Sequence, residues 1–206
     1  LAATTLERLR ALPGVESVSR VRTVPLNDQT THRSLVNGVT VRYQYNEVSP
    51  EYFQTMGIGL LAGREFNAGE RNAAVINETL ARRVFGRLDV AGQALRLGET
   101  RTVTVIGVCR TSKYFLLSED DQPALYEPYR EEARTDWMIR TRPAPATLAR
   151  GVEKLLLTQD PAASVEVKPM NTALGMALLP SQIGAGLMGS LGLLGLALAS
   201  LGLYGV

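Results

Sequence analysis

The sequence is poor in the residues that build metal sites, disulfides and nucleophilic centres. Among its 206 residues there is one histidine, His32, and one cysteine, Cys109, so no disulfide can form within the chain and a zinc site lacks a second imidazole. His32 stands in a polar stretch and is predicted to be an exposed loop residue. Cys109 ends the run Val-Ile-Gly-Val-Cys, which is typical of a buried strand, where a free thiol behaves as a small apolar side chain.

Motifs for nucleotide binding and covalent catalysis are also lacking. A P-loop needs Gly-Lys followed by Ser or Thr, and none of the three lysines follows a glycine. There is no Gly-x-Ser-x-Gly elbow. The carboxylate pairs Asp120-Asp121 and Glu131-Glu132 are more typical of solvated loops than of acid–base chemistry. We therefore predict that this segment is not an enzyme and holds no catalytic, cofactor-binding or metal-binding residues, so that any ATP binds to a separate subunit or domain.

An excess of charge of one sign is missing as well. The chain has 22 Lys and Arg residues against 20 Asp and Glu, a formal net charge of +2. No basic run interleaved with aromatic residues appears, which is the usual footprint of a nucleic-acid-binding surface. A nucleic-acid partner is therefore not expected.

What the sequence does contain is a long apolar end. Residues 183–206 include no charged side chain. As a helix, this stretch of roughly 24 residues would be about 36 Å long, enough for the ~30 Å hydrocarbon core of a bilayer. Its seven glycines would weaken a helix in water, but small residues let membrane helices pack closely. We predict a transmembrane helix over 180–206 in contact with membrane lipid; the alternative is a buried glycine-rich segment of a soluble fold.

The preceding residues carry helix patterns in several places. Apolar residues at helical spacing predict helices near 6–12, 77–85 and 145–156. A short helix is predicted after Ser49-Pro50, with Ser49 as its N-cap and Gly57 at its end. Asn77 is predicted to cap the helix that follows it.

Strand patterns separate these helices. β-branched and aromatic residues bounded by turn residues predict a set of strands with a break at Asn37-Gly38, at 15–24, 33–45, 73–76, 94–97, 102–110, 125–129, 136–141 and 164–167. The mixture of elements predicts an α+β fold resembling an α/β sandwich.

A weak internal repeat suggests how the elements are grouped. Residues 6–24 and 148–167 share the same plan, an amphipathic helix, a proline-containing break and a valine-rich strand. We infer one α/β subdomain built from two chain segments, 1–46 and 119–172. Residues 47–118 would then form a second, smaller α/β subdomain inserted into it, and the transmembrane helix over 180–206 would follow.

Several stretches, in this order, resemble a known family. They are Asn-Glu-Val-Ser-Pro-Glu-Tyr-Phe-Gln-Thr-Met-Gly-Ile at 46–58, Leu-Leu-Ala-Gly-Arg-Glu-Phe at 60–66, Ala-Val-Ile-Asn-Glu-Thr-Leu-Ala-Arg at 74–82, Asp-Val-Ala-Gly at 89–92, Val-Ile-Gly-Val at 105–108 leading to Lys113-Tyr114, and Leu-Tyr-Gly-Val at 203–206. Together they resemble the MacB-like periplasmic core of ABC transporter permeases of the MacB-like or FtsX-like kind. Cys109, commonly aliphatic in that family, and Thr111-Ser112, where an acidic residue is often found, depart from the pattern.

The resemblance implies a role for the segment. It implies a MacB-type periplasmic domain with a porter-like α/β subdomain and an inserted smaller one, between the first two transmembrane helices of a permease in the bacterial inner membrane. Residues before about 180 would lie in the periplasm, and the final helix would begin the FtsX-like permease domain. The expected partners are a cytoplasmic ABC ATPase, a second permease copy and a periplasmic adaptor.

Two functions follow from this resemblance. The leading one is coupling of cytoplasmic ATP hydrolysis to extracytoplasmic conformational work, such as efflux or lipoprotein or peptide export. The alternative is a membrane-tethered regulatory or binding module that signals to a periplasmic partner without transport.

Overall fold

The computed structural model describes residues 2–25, 30–112, 120–130, 136–142, 145–160, 164–170, 188–196, 198 and 200. The chain divides into two compact units, Leu1–Pro169 and Met170–Val206. In the first unit the helices are α1 (Ala2–Arg10), α2 (Tyr52–Met56), α3 (Glu78–Phe85) and α4 (Pro145–Gln159). The strands are β1 (Val15–Val21), β2 (Thr31–Val36), β3 (Val39–Val48), β4 (Leu60–Gly63), β5 (Ala73–Asn77), β6 (Ala94–Leu97), β7 (Arg101–Cys109), β8 (Ala124–Pro128) and β9 (Asp136–Thr141). The α+β prediction is confirmed.

Much of the sheet closes on itself. The pairing order runs β2-β6-β7-β5-β8-β3, and β3 pairs with β2 again, so these strands form a barrel-like ring. The β2–β3 hairpin turns at Asn37 (φ 47°) and Gly38 (φ 85°), both in the left-handed region that a tight hairpin requires. The break predicted at this dipeptide is therefore confirmed.

The inward face of the ring forms the main core. Each strand contributes at least one buried side chain to a single apolar cluster, including Val36, Tyr43, Ile76, Leu95, Val105 and Leu125. Leu80 and Ala81 of α3 pack into the same cluster. Full burial of such side chains contributes about 1.5–3 kcal/mol each, so this cluster is the principal reason for the ring to close.

The opposite face of the same strands carries a second, aromatic cluster. Tyr52 and Phe53 of α2 pack on Tyr126 of β8, with the Phe53 and Tyr126 ring centroids 5.0 Å apart in an edge-to-face arrangement. Phe66 and Cys109 complete this side of the core. Cys109 is fully buried at the end of β7, as its apolar run predicts.

β3 also extends the sheet away from the ring. It pairs with β1, and β1 pairs along its length with β9, the last strand in the order. Leu9 of α1, Val18 of β1 and Val152 of α4 form a third cluster on this extension. Elements from the beginning and the end of this unit therefore share one small core, although the proposed division into 1–46 with 119–172 and 47–118 stays a prediction.

The predictions for Ser49 and for residues 164–167 are wrong. Ser49 does not cap α2, because its Oγ accepts a hydrogen bond from the backbone of Arg20 at 2.8 Å and Glu51 adopts a left-handed φ of 70° directly before the helix. α2 therefore begins at Tyr52. Residues 164–167 are not a strand: residues 164–169 are described without helix or strand, and Val167 instead packs its side chain on the third cluster.

Met170–Val206 is described only in part. Residues 188–196 are helical, with leucines exposed. Among the described residues, no helix is both long and apolar enough to cross a membrane. Most of the predicted helix at 180–206, and the Leu-Tyr-Gly-Val motif at 203–206, lie outside the described residues, so that prediction remains untested.

Candidate functional site: an arginine-lined groove

Two buried glutamates lie at one end of the ring. On β3 the inward positions Val41, Tyr43 and Tyr45 are followed, two residues on, by Glu47, because successive side chains of a strand alternate between faces. β8 runs parallel to β3 and places Glu127 directly opposite Glu47. Glu47 is 3% exposed and Glu127 is 1% exposed.

One tyrosine hydroxyl lies between the two carboxylates. The Tyr45 hydroxyl is 2.8 Å from Glu47 Oε1 and 3.0 Å from Glu127 Oε2, and it donates its single proton to one of them at a time. Burial, and next the charge of Glu127, raise the pKa of Tyr45 well above its ordinary value. Tyr45 is therefore a hydrogen-bond donor throughout the physiological pH range.

Three arginines surround the pair. Arg101 Nη2 donates to Glu127 Oε2 at 2.6 Å, Arg130 Nη2 lies 3.7 Å from the same oxygen, and Arg22 Nη1 donates to Glu47 Oε1 at 3.2 Å. Burial disfavours the charged form of Arg101, but its hydrogen bond to Glu127 and the attraction between them outweigh this, so the pKa of Arg101 is raised. The cluster therefore holds three cations against two anions.

The second oxygen of each carboxylate is not used. In the part of the chain that the structure describes, Glu47 Oε2 and Glu127 Oε1 are buried without a hydrogen-bond partner. Buried polar atoms without partners are uncommon and costly. Here the neighbouring arginines compensate the charge of each carboxylate. The two buried glutamates in turn hold the guanidinium groups at defined positions.

A wide groove opens beside this cluster. It has a volume of about 1010 Å³, and Glu127, Arg101 and Arg130 form part of its wall. The charged side chains that line it are Arg10, Arg20, Arg71, Arg101 and Arg130 together with Glu51, Glu70 and Glu127. Apolar lining comes from side chains such as Leu6, Phe66 and Tyr129.

The glutamates that line the groove form ion pairs with arginines. Arg10 donates to Glu51 at 2.7 Å, linking α1 to the residue before α2. Glu70 accepts two hydrogen bonds from Arg64, at 2.7 and 2.9 Å, and the hydrogen bond from Arg64 lowers the pKa of Glu70. Every carboxylate that lines the groove is thus paired with an arginine, while Arg71 is exposed and adds a further positive charge.

Two aromatic rings contact one of the arginines that line the groove. The Arg20 guanidinium lies 4.8 Å from the ring centroid of Tyr129 and 5.9 Å from that of Trp137. Such cation–π contacts hold a guanidinium at a defined position without removing its charge. Arg20 is therefore a positioned cation among the residues that line the groove.

The residues weighed from the sequence as possible chemical groups do not belong to the glutamate–arginine cluster. His32 is exposed as predicted, but it belongs to β2 and not to a loop, and its ring lies 5.0 Å from that of Tyr45. It lies in a strand because it pairs in register with Tyr43 of β3. Asp120 and Asp121 are exposed, whereas Glu131, Glu132, Lys113 and Tyr114 lie outside the described residues. Within the described ranges, no group of three or more His, Cys, Asp or Glu side chains is placed to hold a metal ion.

Sequence reasoning missed the glutamate–arginine cluster. The available signal was the position of Glu47 and Glu127 inside runs of β-type residues, where a charged side chain on an inward face must find a partner. Arg130 follows Glu127 by three residues, but the pairings of Arg22 with Glu47 and of Arg101 with Glu127 join residues 25 and 26 positions apart and could not be read from spacing.

Solved structures support the overall architecture. The periplasmic region of MacB from Actinobacillus actinomycetemcomitans is similar over 76% of this chain and 73% of that chain, with 17% identity and a TM-score of 0.54. The extracellular domain of the noncanonic ABC-type transporter YknZ from Gram-positive bacteria is similar over 78% and 84%, with 15% identity and a TM-score of 0.53. A domain of a permease protein from Porphyromonas gingivalis shows 19% identity and a TM-score of 0.52 over 80% and 84%. At these identities the likeness shows a shared fold.

Family comparison is more specific. No curated protein matches the chain. The family model of the MacB-like periplasmic core domain matches residues 1–156, which covers every strand of the sheet. The chain therefore belongs to the MacB-like periplasmic core domain family of ABC transporter permeases.

Proposed function

We propose that this chain couples ATP hydrolysis in the cytoplasm to conformational work outside it, as part of an ABC transporter permease subunit. The observation that carries the proposal is the packing of α1 against α4. These helices come from opposite ends of the matched residues, yet the Thr5 hydroxyl donates to Gln159 Oε1 at 2.8 Å. A displacement applied at either end of the domain therefore acts on the same small core.

This core is joined directly to the sheet. Leu9 of α1 and Val152 of α4 contact Val18 of β1, and β1 pairs with β9 and with β3 of the ring. Tightly packed elements transmit displacement because their interior has few voids to absorb it. The path from the two helices to the groove is therefore continuous packed structure.

The proposal includes a location and partners. The permease would lie in the bacterial inner membrane, with residues before about 180 outside the cytoplasm and a transmembrane helix over 180–206. Its ATPase would be a separate subunit or domain, the permease would act as a homodimer or paired with a second permease, and a periplasmic adaptor would bind outside. Efflux and lipoprotein or peptide export are the classes of work expected.

The test uses the complete permease with its ATPase in lipid nanodiscs. Spin labels on Arg83→Cys and Met188→Cys report the distance between the domain and the apolar end of the chain; both residues are exposed, and Cys109 is buried. We expect this distance to change by several ångströms between the ATP-bound and nucleotide-free states. A control pair, Glu7→Cys with Arg83→Cys, lies within one compact unit and should not change.

An unchanged distance in a preparation that hydrolyses ATP would contradict the coupling proposal. A change in distance without ATP-dependent uptake of any substrate into inside-out vesicles, the direction that corresponds to export, would support the signalling alternative instead.

A further inference from the structure

We infer that the arginine-lined groove is a docking surface for an acidic segment of a partner polypeptide. The inference depends on the charge and shape of the groove and not on the proposed coupling function. It concerns the wall formed by Arg10, Arg20, Arg71, Arg101 and Arg130.

The first argument is the balance of charge. Five arginines line the groove against three glutamates. Arg10 forms an ion pair with Glu51, and Arg101 forms one with Glu127. Glu70 forms an ion pair with Arg64, which is not one of the five arginines that line the groove. Arg71 and Arg130 are exposed, and Arg130 is only 3.7 Å from a carboxylate that Arg101 already contacts at 2.6 Å. The surface therefore attracts anions and repels cations.

The second argument is that these cations are held in place. Arg101 is anchored by a buried glutamate and Arg20 by two aromatic rings. Fixing a long side chain before binding removes part of the entropy that binding would otherwise cost. Arginine and tyrosine are also the residues most enriched where protein interfaces carry their binding energy.

The third argument is shape. The groove is concave and about 1010 Å³ in volume, at the upper limit for sites that enclose small molecules. Its lining includes Leu6, Phe66 and Tyr129, so apolar side chains of a bound segment would find contacts next to the arginines. A flat anionic bilayer cannot enter a concave site, whereas an extended polypeptide can.

The experiment measures binding of a labelled hexaglutamate peptide to the purified 206-residue chain in a non-ionic detergent, by fluorescence anisotropy. The control peptide is hexaglutamine. We expect the glutamate peptide to bind and the glutamine peptide to bind far more weakly. Raising the salt concentration from about 50 mM to about 300 mM should weaken binding, because it shortens the screening length.

Variants locate the site. Arg71→Ala and Arg130→Ala should each weaken binding by about threefold or more, the size expected of a partly exposed charge pair. Arg83→Ala, on the exposed side of α3 and outside the groove, is the matched control and should leave affinity unchanged. Arg71 and Arg130 are both exposed, and unchanged thermal unfolding checks that the variants remain folded.

Three results would overturn the inference. One is absence of binding by the glutamate peptide at low salt. Another is an equal loss of affinity in Arg83→Ala, which would indicate unspecific attraction. The third is displacement of the labelled peptide by inorganic phosphate or glycerol 3-phosphate at the same concentrations at which unlabelled hexaglutamate displaces it. This result would make the groove a small-anion or lipid-headgroup site.

Discussion

Glu47 and Glu127 lie in register on neighbouring parallel strands, both buried, and the hydroxyl of Tyr45 is within 3.0 Å of each carboxylate. Two like charges in this position would repel each other without compensation. Arg22 and Arg101 supply that compensation, each on one glutamate. At this end of the ring the inward positions are therefore filled by a charge-compensated polar cluster, next to the apolar core.

Tyr45→Phe removes the hydroxyl that serves both carboxylates. We expect a loss of about 1–3 kcal/mol in the free energy of unfolding, since a hydrogen bond to a buried charged group is lost, although each carboxylate oxygen that Tyr45 contacts keeps its arginine donor. Urea denaturation measures the change. Tyr43→Phe, two residues earlier on the same face, is the control and should cost less, because the hydrogen bonds that link the two glutamates come from Tyr45. Equal losses of unfolding free energy in both variants would show that the hydrogen bonds from Tyr45 to the glutamates add no stability of their own.

The Cys109 thiol should be unreactive in the folded protein. Burial raises its pKa from an ordinary value of 9.0 to about 12, and only the thiolate reacts with alkylating reagents. Iodoacetamide at pH 8 should therefore modify it slowly in buffer and quickly in denaturant, as mass spectrometry would show. Because the folded pKa is raised, the neutral thiol adds stability that is complete below pH 9 and lost as the pH rises towards 12. Rapid native labelling would contradict its burial.

Gly63 and Gly98 both have positive φ, 73° and 68°, but only Gly63 is crowded. A Cβ on Gly63 would collide with the backbone of Ile106 and Gly107, where β4 meets β7, whereas one on Gly98 would meet nothing within 4 Å. Gly98→Ala should cost about 1 kcal/mol for the backbone conformation alone. Gly63→Ala should cost about 3 kcal/mol, since overpacking adds to it. Similar unfolding midpoints for the two variants would contradict this difference.

Asn77 serves two backbone amides. Its Oδ1 accepts from Leu80 N, as the predicted N-cap of α3, and also from Ala124 N of β8, both at 2.9 Å. Asn77→Ala should therefore cost about 2–4 kcal/mol, more than the roughly 1 kcal/mol of an ordinary cap, because a buried amide also loses its acceptor. Asn77→Ser keeps a capping oxygen and should recover about 1 kcal/mol of this loss in urea denaturation. If Asn77→Ala lowered the free energy of unfolding by no more than the loss of an ordinary cap, the hydrogen bond to Ala124 would add no stability.

The elements that the sequence predicts well are those with strong local signals. The hairpin at Asn37-Gly38 and the end of α2 at Gly57 follow from a left-handed backbone conformation that few residues adopt. The cap at Asn77 follows from a short side chain that accepts a hydrogen bond from the first turn of α3. β4 was not predicted, because its four residues, Leu60–Gly63, are too short for an alternation pattern. The predicted N-cap at Ser49 failed because a contact with β1 competes with the local one.

Sequence alone therefore determined the α+β class, the alternation of helices and strands, the burial of Cys109 and, through its motifs, the family. These depend on neighbours along the chain or on patterns shared among relatives. Tertiary structure alone decided the closure of the ring and the pairing of Glu47 with Glu127. It also decided which arginines line the groove. Strand order and ion pairing join residues far apart in sequence, and a charged side chain carries no local sign of the partner that will neutralise it.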